Sequence, residues 1–293
     1  MSKLNKIILG TVQFGLAYGI NNSLGKPSKE KITEILDLAY NKGIRLLDTA
    51  EAYGNSHQVI ANYHKNSNNR FRIISKYKKD IPGLPENLKD RVKKHIADFR
   101  VNELEAYLFH DFEEFLELAN RDDSGIISIK EEKLVKKIGV SIYSNKQIEE
   151  VLKYPFIELI QVPFNLLDNH KERSEILLKA KEKGVEVHTR SAFLQGLFFK
   201  EVNYLSDYFA PIKPLLLNIK SLCKKDLLCV ADLALNYPLS KGYINNVLIG
   251  VDSAEQLLSN IESLKKEPIE CFKIIDNFSV KDNNILNPSN WIK

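Results

Sequence analysis

Cysteine is scarce in this chain. Cys223, Cys229 and Cys271 are the only three in 293 residues. An odd number without paired, metal-like spacing gives neither a disulfide framework nor a metal site, and it suits a reducing compartment. Long apolar runs are missing too: no stretch reaches the roughly 18 residues that span a bilayer. Residues 1–6 lead straight into a strand-like run, with no apolar leader and no small-residue cleavage site. A cytoplasmic protein is therefore expected. Charge of one sign is also lacking, since 42 basic residues face 38 acidic ones and the lysines are scattered. Neither nucleic acid nor a membrane surface is an expected partner. Finally, Gly10, Gly15 and Gly19 lack the Gly-x-Gly-x-x-Gly spacing, which argues against an open dinucleotide-binding sheet.

What is present is an ordinary globular composition, 44% hydrophobic and 27% charged, and a regular alternation of strand-like and helix-like segments. Short apolar runs fall at residues 6–9, 44–47, 71–75, 104–109, 137–141, 157–161, 185–188 and 247–250. Between the first two, Ser28 caps a helix to Tyr40 whose Ile32, Ile35, Leu36 and Ala39 recur at helical spacing, and Gly43 ends it. Asn55 and Ser56 open a second helix, others end near Phe99 and span about 171–183, and one runs from Ala254 to about Lys265. Eight strand–helix units predict an α/β protein, a closed (β/α)8 TIM barrel forming one domain over residues 1–293, with a polar tail from about 277. The aromatic-rich connection 198–214 is expected to lie over the barrel mouth.

In a parallel barrel, whatever follows the C-terminal end of each strand faces one mouth, so Asp48, Tyr53, Lys76 and His110 should converge. Each alone has a plain structural use: a turn cap, a packed ring, a solvated strand end, a core histidine. Together on successive strand ends they form a proton-delivery set. An ammonium beside a phenol brings down its ordinary pKa near 10, a carboxylate keeps the ammonium charged, and an imidazole can polarise a carbonyl oxygen. Hydride has no side-chain source, so the set implies a nicotinamide cofactor.

Leu47-Asp48-Thr49-Ala50 with Tyr53-Gly54, Ile74-Ser75-Lys76 and Leu108-Phe109-His110 resemble the aldo-keto reductase family. The similarity runs through Leu9-Gly10-Thr11, Ile138 to Ser141, Gln161 with Phe164-Asn165, Ser191 to Leu197, and Ile249-Gly250 with Gln256 and Asn260. The resemblance implies an oxidoreductase reducing a small-molecule carbonyl with NADPH, the family habit, NADH being left open. Tyr53 would donate the proton, Lys76 and Asp48 would tune it, and His110 would orient the carbonyl. Cofactor contacts would come from Gly10 and Thr11 at the first strand, from Ser141 and Gln161 at the carboxamide, and from Arg190. Ser191, Leu194 and Gly196 would lie along the pyrophosphate, with Gly250, Ser253, Gln256 and Asn260 at the adenosine end.

The chain also departs from the family. Ile142 stands where an asparagine usually follows the serine, and Arg190 where an aromatic residue usually stacks on the nicotinamide. Its charge points either to an acidic or phosphorylated substrate or to pairing with a loop carboxylate. Asp252 would repel a 2′-phosphate, and His57 replaces a common acid. Tyr18, Asn21, Phe193, Phe198, Phe199 and Trp291 are expected to wall the substrate space, which suits a sugar-like carbonyl. Two further readings are a cofactor-binding sensor with weak turnover and Schiff-base chemistry at Lys76. Oligomeric state is not legible.

Overall fold

The computed structural model describes residues 2–20, 22, 25–121 and 125–291. In chain order its main elements are β1 (Ile7–Gly10), α1 (Val12–Gly15), α2 (Lys29–Lys42), β2 (Leu46–Asp48), α3 (Ser56–Asn66), β3 (Arg72–Tyr77), α4 (Leu88–Phe99) and β4 (Ala106–Phe109). They continue with α5 (Phe112–Ala119), α6 (Ile126–Glu131), β5 (Ile138–Ser141), α7 (Asn145–Val151), β6 (Leu159–Pro163), α8 (His170–Glu182) and β7 (Glu186–Arg190). The last are α9 (Lys213–Lys225), α10 (Val230–Leu239), β8 (Asn246–Ile249), α11 (Ala254–Ser263) and α12 (Ile269–Ile275). All strand pairs are parallel and sequential, and β8 closes on β1 through Ile7↔Val247, Ile8↔Leu248 and Leu9↔Ile249. The expected (β/α)8 barrel is the observed fold.

The period-2 alternation of a strand explains how the barrel fills itself. Ile8, Leu46, Ile74, Ala106, Leu108 and Leu159 point inward and form a small core with Leu248. Their neighbours Leu9, Leu47, Ile73, Tyr107, Val140, Ile160, Val187 and Ile249 point outward into the larger core shared with the helices. Helix starts follow the capping signals. Ser28 accepts the amide of Lys31 ahead of α2, and Gly43 ends that helix with a left-handed φ of 102°.

β3 and β7 extend past their apolar runs, so Lys76 and Arg190 stand inside strands rather than just beyond them. The hydrogen-bonded ladder continues through Lys76↔Leu108 and Pro163↔Arg190 while the inward side chains turn polar. The segment after β7 is more ordered than a loop. It makes 3-10 turns at Leu194–Phe199, Val202–Tyr204 and Asp207–Ile212 before entering α9. Neither α9 nor α10 is evident from sequence. In α10 every residue from Ala231 to Leu239 is buried, which erases the one-sided stripe that marks a surface helix. Trp291, expected at the substrate wall, is tied to the chain's own tail. Its ring is buried edge-on to Phe209 at 5.1 Å, and its indole N–H donates to Ile285 O at 2.8 Å, so it anchors the tail.

Candidate active site

At or just past their C-terminal ends the eight strands in order carry Gly10, Asp48, Lys76, His110, Ser141, Gln161, Arg190 and Gly250. The same alternation that puts Ile8, Leu46, Ile74, Leu108, Leu159 and Leu248 in the barrel axis puts this ring at its mouth. Tyr53 is the exception, coming from the turn between β2 and α3.

Asp48 is fully buried and Lys76 is 1% exposed. The lysine ammonium forms an ion pair with Asp48 Oδ1 and also donates to Thr49 O at 3.3 Å and to the Tyr53 hydroxyl at 3.4 Å. The second carboxylate oxygen of Asp48 accepts from Gln161 Nε2 at 2.7 Å. The His110 ring meets the Tyr53 ring edge-on, with centroids 5.6 Å apart. The four residues expected to converge are therefore together, with Gln161 as a fifth member.

Burial, and after it the Asp48 charge, push the Tyr53 phenol above its ordinary value, against a lowering pull from Arg190. This is opposite to the direction expected from a neighbouring ammonium, because the ring is taken out of water and a carboxylate lies close. The phenol is thereby held in its neutral, proton-carrying form. Burial lowers Lys76, and Asp48 opposes that shift. His110 is lowered to about 3 by burial and then by the charges of Lys76 and Arg190. Its imidazole is neutral, and its Nδ1 is buried without a partner.

The turn carrying Tyr53 is held by close backbone contact. A Cβ on Gly15 would lie 1.8 Å from Tyr53 O, so only glycine lets α1 press this near. Beneath it, Ser56 Oγ donates to Thr11 Oγ1 at 2.8 Å, and Thr11 Oγ1 donates to Asp48 O at 2.9 Å. Thr11 is fully buried with its hydroxyl engaged inside the fold, so it braces the site and offers no side-chain contact to a ligand.

Sequence reading missed Glu51. Its buried carboxylate accepts from Lys78 N at 2.9 Å, Arg91 Nη1 at 3.1 Å, His95 Nε2 at 2.8 Å and the Tyr107 hydroxyl at 2.5 Å. Its backbone N–H donates to Lys76 O at 3.1 Å. One side chain therefore ties the turn of Tyr53 to the end of β3, to β4 and to α4. The signal was available in the stretch Asp48-Thr49-Ala50-Glu51, together with Arg91 and His95 one helical turn apart. His57 sits behind the same layer, with Nε2 3.1 Å from Ser75 Oγ and its ring edge-on to His95 at 4.8 Å.

The remaining expected residues come from the ends of β5, β6, β7 and β8 and from the segments that follow β7 and β8. Ser141 and Gln161 are paired across β5 and β6. The guanidinium of Arg190 lies over the Tyr143 ring at 4.1 Å, and its Nη2 is 3.5 Å from Ile142 O. Ser191, Leu194, Gln195 and Gly196 all have positive φ, from 46° to 90°. Leu194 is buried, which leaves its backbone rather than its side chain available. A Cβ on Gly250 would lie 2.3 Å from Gln13 Nε2, and the buried Gln13 Oε1 has no partner. Ser253 caps α11 by accepting Gln256 N at 3.3 Å, and Gln256 Oε1 accepts Asp252 N at 2.8 Å. Asn260 follows on the same helix, buried. Asp252 Oδ1 accepts from Asn22 Nδ2 at 3.2 Å. The loop after β1 also meets the loop after β7, where Gln195 Nε2 donates to the Tyr18 hydroxyl at 3.0 Å. Asn21 lies outside the described residues. Among the described residues no cluster of His, Cys, Asp or Glu could hold a metal ion, and no helix is long and apolar enough to cross a membrane.

Residues 6–279 match the sequence model of the aldo/keto reductase family. An uncharacterized oxidoreductase of Bacillus subtilis, YqkF, is 24% identical over 82% of this chain and 84% of its own length. The NADH-specific methylglyoxal reductase of Escherichia coli is 22% identical over 89% of this chain and 90% of its own. Among solved structures, the holo form of aldo-keto reductase AKR11C1 from Bacillus halodurans superposes with a TM-score of 0.72 at 20% identity, covering 94% of this chain and 92% of that one. The family match spans nearly the whole barrel and includes every strand of the mouth ring: the chain belongs to the aldo/keto reductase family and is an NAD(P)H-dependent oxidoreductase.

Proposed function

We propose that the chain is a reductase of polar aldehydes or ketones in which Tyr53 gives a proton to the carbonyl oxygen. The observation that carries this is the Tyr53 hydroxyl 3.4 Å from the Lys76 ammonium, with the His110 ring against the phenol. A bound nicotinamide supplies the hydride, which no side chain can. His110, neutral, donates a hydrogen bond to the carbonyl oxygen and fixes it beside the phenol. As negative charge develops on that oxygen, the Tyr53 proton moves to it, and the Lys76 ammonium, held by Asp48, stabilises the phenolate left behind. Its burial and ion pairing support this tuning role for Lys76 over imine chemistry.

The mouth fits a nicotinamide dinucleotide. Gln161 spends its Nε2 on Asp48 and keeps its carbonyl for a carboxamide N–H, with Ser141 beside it. The unpartnered Oε1 of Gln13 against Gly250 is an acceptor awaiting a donor. Amides of the left-handed run 194–196 would face the pyrophosphate. The half-buried Asp252 carboxylate at the start of α11 favours NADH over NADPH, because a 2′-phosphate there would meet a like charge. Tyr18, Tyr143 and Phe199, each about 40% exposed, line the loops after β1, β5 and β7. Rings of this kind beside the Gln195 amide suit a polyhydroxylated, sugar-like carbonyl. Parallel fluorescence titrations with NADH and NADPH, followed by a carbonyl panel, test the reading. Tighter NADH binding and reduction of hydroxyaldehydes support it, and failure to bind either nucleotide sinks it.

A further inference from the structure

Arg190 carries a charge that the fold does not balance. Elsewhere among the described residues Lys76 pairs with Asp48, Lys78 with Glu114, Arg91 with Glu51 and Arg173 with Asp168. Among the described residues no carboxylate lies within 4 Å of Arg190, so the loop-carboxylate partner that sequence allowed is not there. Its contacts are the Tyr143 ring at 4.1 Å and Ile142 O at 3.5 Å, which leave most of its five N–H donors uncommitted. The contact with the Tyr143 ring seats the guanidinium without neutralising it. Arg190 ends the β7 ladder at the barrel mouth, on the same ring of strand ends as Lys76 and His110, so it borders the space proposed for the carbonyl.

We infer that Arg190, seated over the Tyr143 ring, is the anchor for an anionic group, a carboxylate or a phosphate monoester, carried by the carbonyl substrate. This rests on the reductase reading and names the substrate class for it. A planar guanidinium meets two anionic oxygens side by side, a geometry that a lysine ammonium does not offer. The half-exposed Tyr18 and Tyr143 rings border the same space and would cover the substrate's carbon chain.

The test compares matched pairs: succinic semialdehyde against butanal for the carboxylate, and glyceraldehyde 3-phosphate against glyceraldehyde for the phosphate. Wild type should favour at least one anionic member in kcat/KM by about 10- to 100-fold, the range of a charge-assisted hydrogen-bonded contact. Arg190→Gln should bring that ratio close to one, mainly through KM, and Arg190→Lys should keep part of it. The pair that shows the preference tells carboxylate from phosphate. A ratio unchanged in Arg190→Gln, a wild-type preference for the neutral members, or a loss in Arg190→Gln confined to nucleotide affinity would overturn the inference. If no carbonyl is reduced at all, binding of succinate and of inorganic phosphate to the NADH complex is measured instead. Binding that Arg190→Gln abolishes upholds the anion site while the reductase reading fails, and no binding in wild type overturns the site as well.

Discussion

Replacing Glu51 with glutamine keeps the shape of the side chain and reverses part of its hydrogen bonding. The wild-type carboxylate accepts four donors, two on each oxygen: Lys78 N and Arg91 Nη1 on one, His95 Nε2 and the Tyr107 hydroxyl on the other. A glutamine amide has one accepting oxygen, so its NH2 must face two donors, and Arg91 loses a buried counter-charge. Breaking a buried pair from one side costs about 3–5 kcal/mol, most of it from the charge left uncompensated. For a chain of this length that is a fall in Tm of about 5–8 °C. It is also a sizeable share of the roughly 5–15 kcal/mol that holds a typical protein folded. Tyr107→Phe removes a single hydrogen bond to the same carboxylate and should lose only about 1–2 kcal/mol. Because the Glu51 backbone also bonds to Lys76 O, the variant should lower kcat more than it raises KM for nucleotide. Urea unfolding followed by circular dichroism, with steady-state kinetics on the same preparations, reads both effects. A Glu51→Gln protein within about 0.5 kcal/mol of wild type would refute the role given to this carboxylate.

Two further outcomes follow from the charges. Asp252→Ala should tighten NADPH binding by about 5- to 10-fold, and NADH binding by less, as the removal of one partly screened like charge predicts; fluorescence titration checks it, and equal effects on both nucleotides would remove Asp252 from the adenosine site. His57 and His110 are lowered from 6.5 to about 3 in the folded chain, so between those pH values the unfolded chain binds more protons. Stability should therefore be full above about pH 6.5 and fall as pH drops, by up to about 1.4 kcal/mol per pH unit for each histidine. Urea midpoints from pH 7.5 to 5 measure the slope, which should be shallower in His57→Asn; an identical slope denies His57 its share.

The barrel was legible because its strands are short apolar runs separated by capped helices, and period-2 alternation makes the strand-end residues readable as a group. Asp48, Lys76 and His110 each end such a run, and Tyr53 follows the first of them by five residues. Where polar side chains face inward, the apolar signal stopped before the hydrogen-bonded ladder did, which is why β3 and β7 were read short of Lys76 and Arg190. Helix α10 was hidden for the opposite reason, being buried on all sides. The direction of the Tyr53 shift was misjudged because composition does not report burial, and desolvation, followed by the Asp48 charge, raises the phenol against the pull of Arg190. Glu51 was overlooked because the Arg91 and His95 pairing on α4 was not connected to it, and its other partners, Lys78 just past β3 and Tyr107 in β4, converge on it only in the folded chain.

The proton-donor role of Tyr53 is tested most directly by single-turnover oxidation of bound NADH, with a hydroxyaldehyde in excess, in wild type and in Tyr53→Phe. Losing a positioned general acid predicts a fall of about 100- to 10,000-fold in the rate of hydride transfer, with nucleotide affinity within a factor of about two. A Tyr53→Phe enzyme that oxidises NADH at a rate close to wild type would contradict the account.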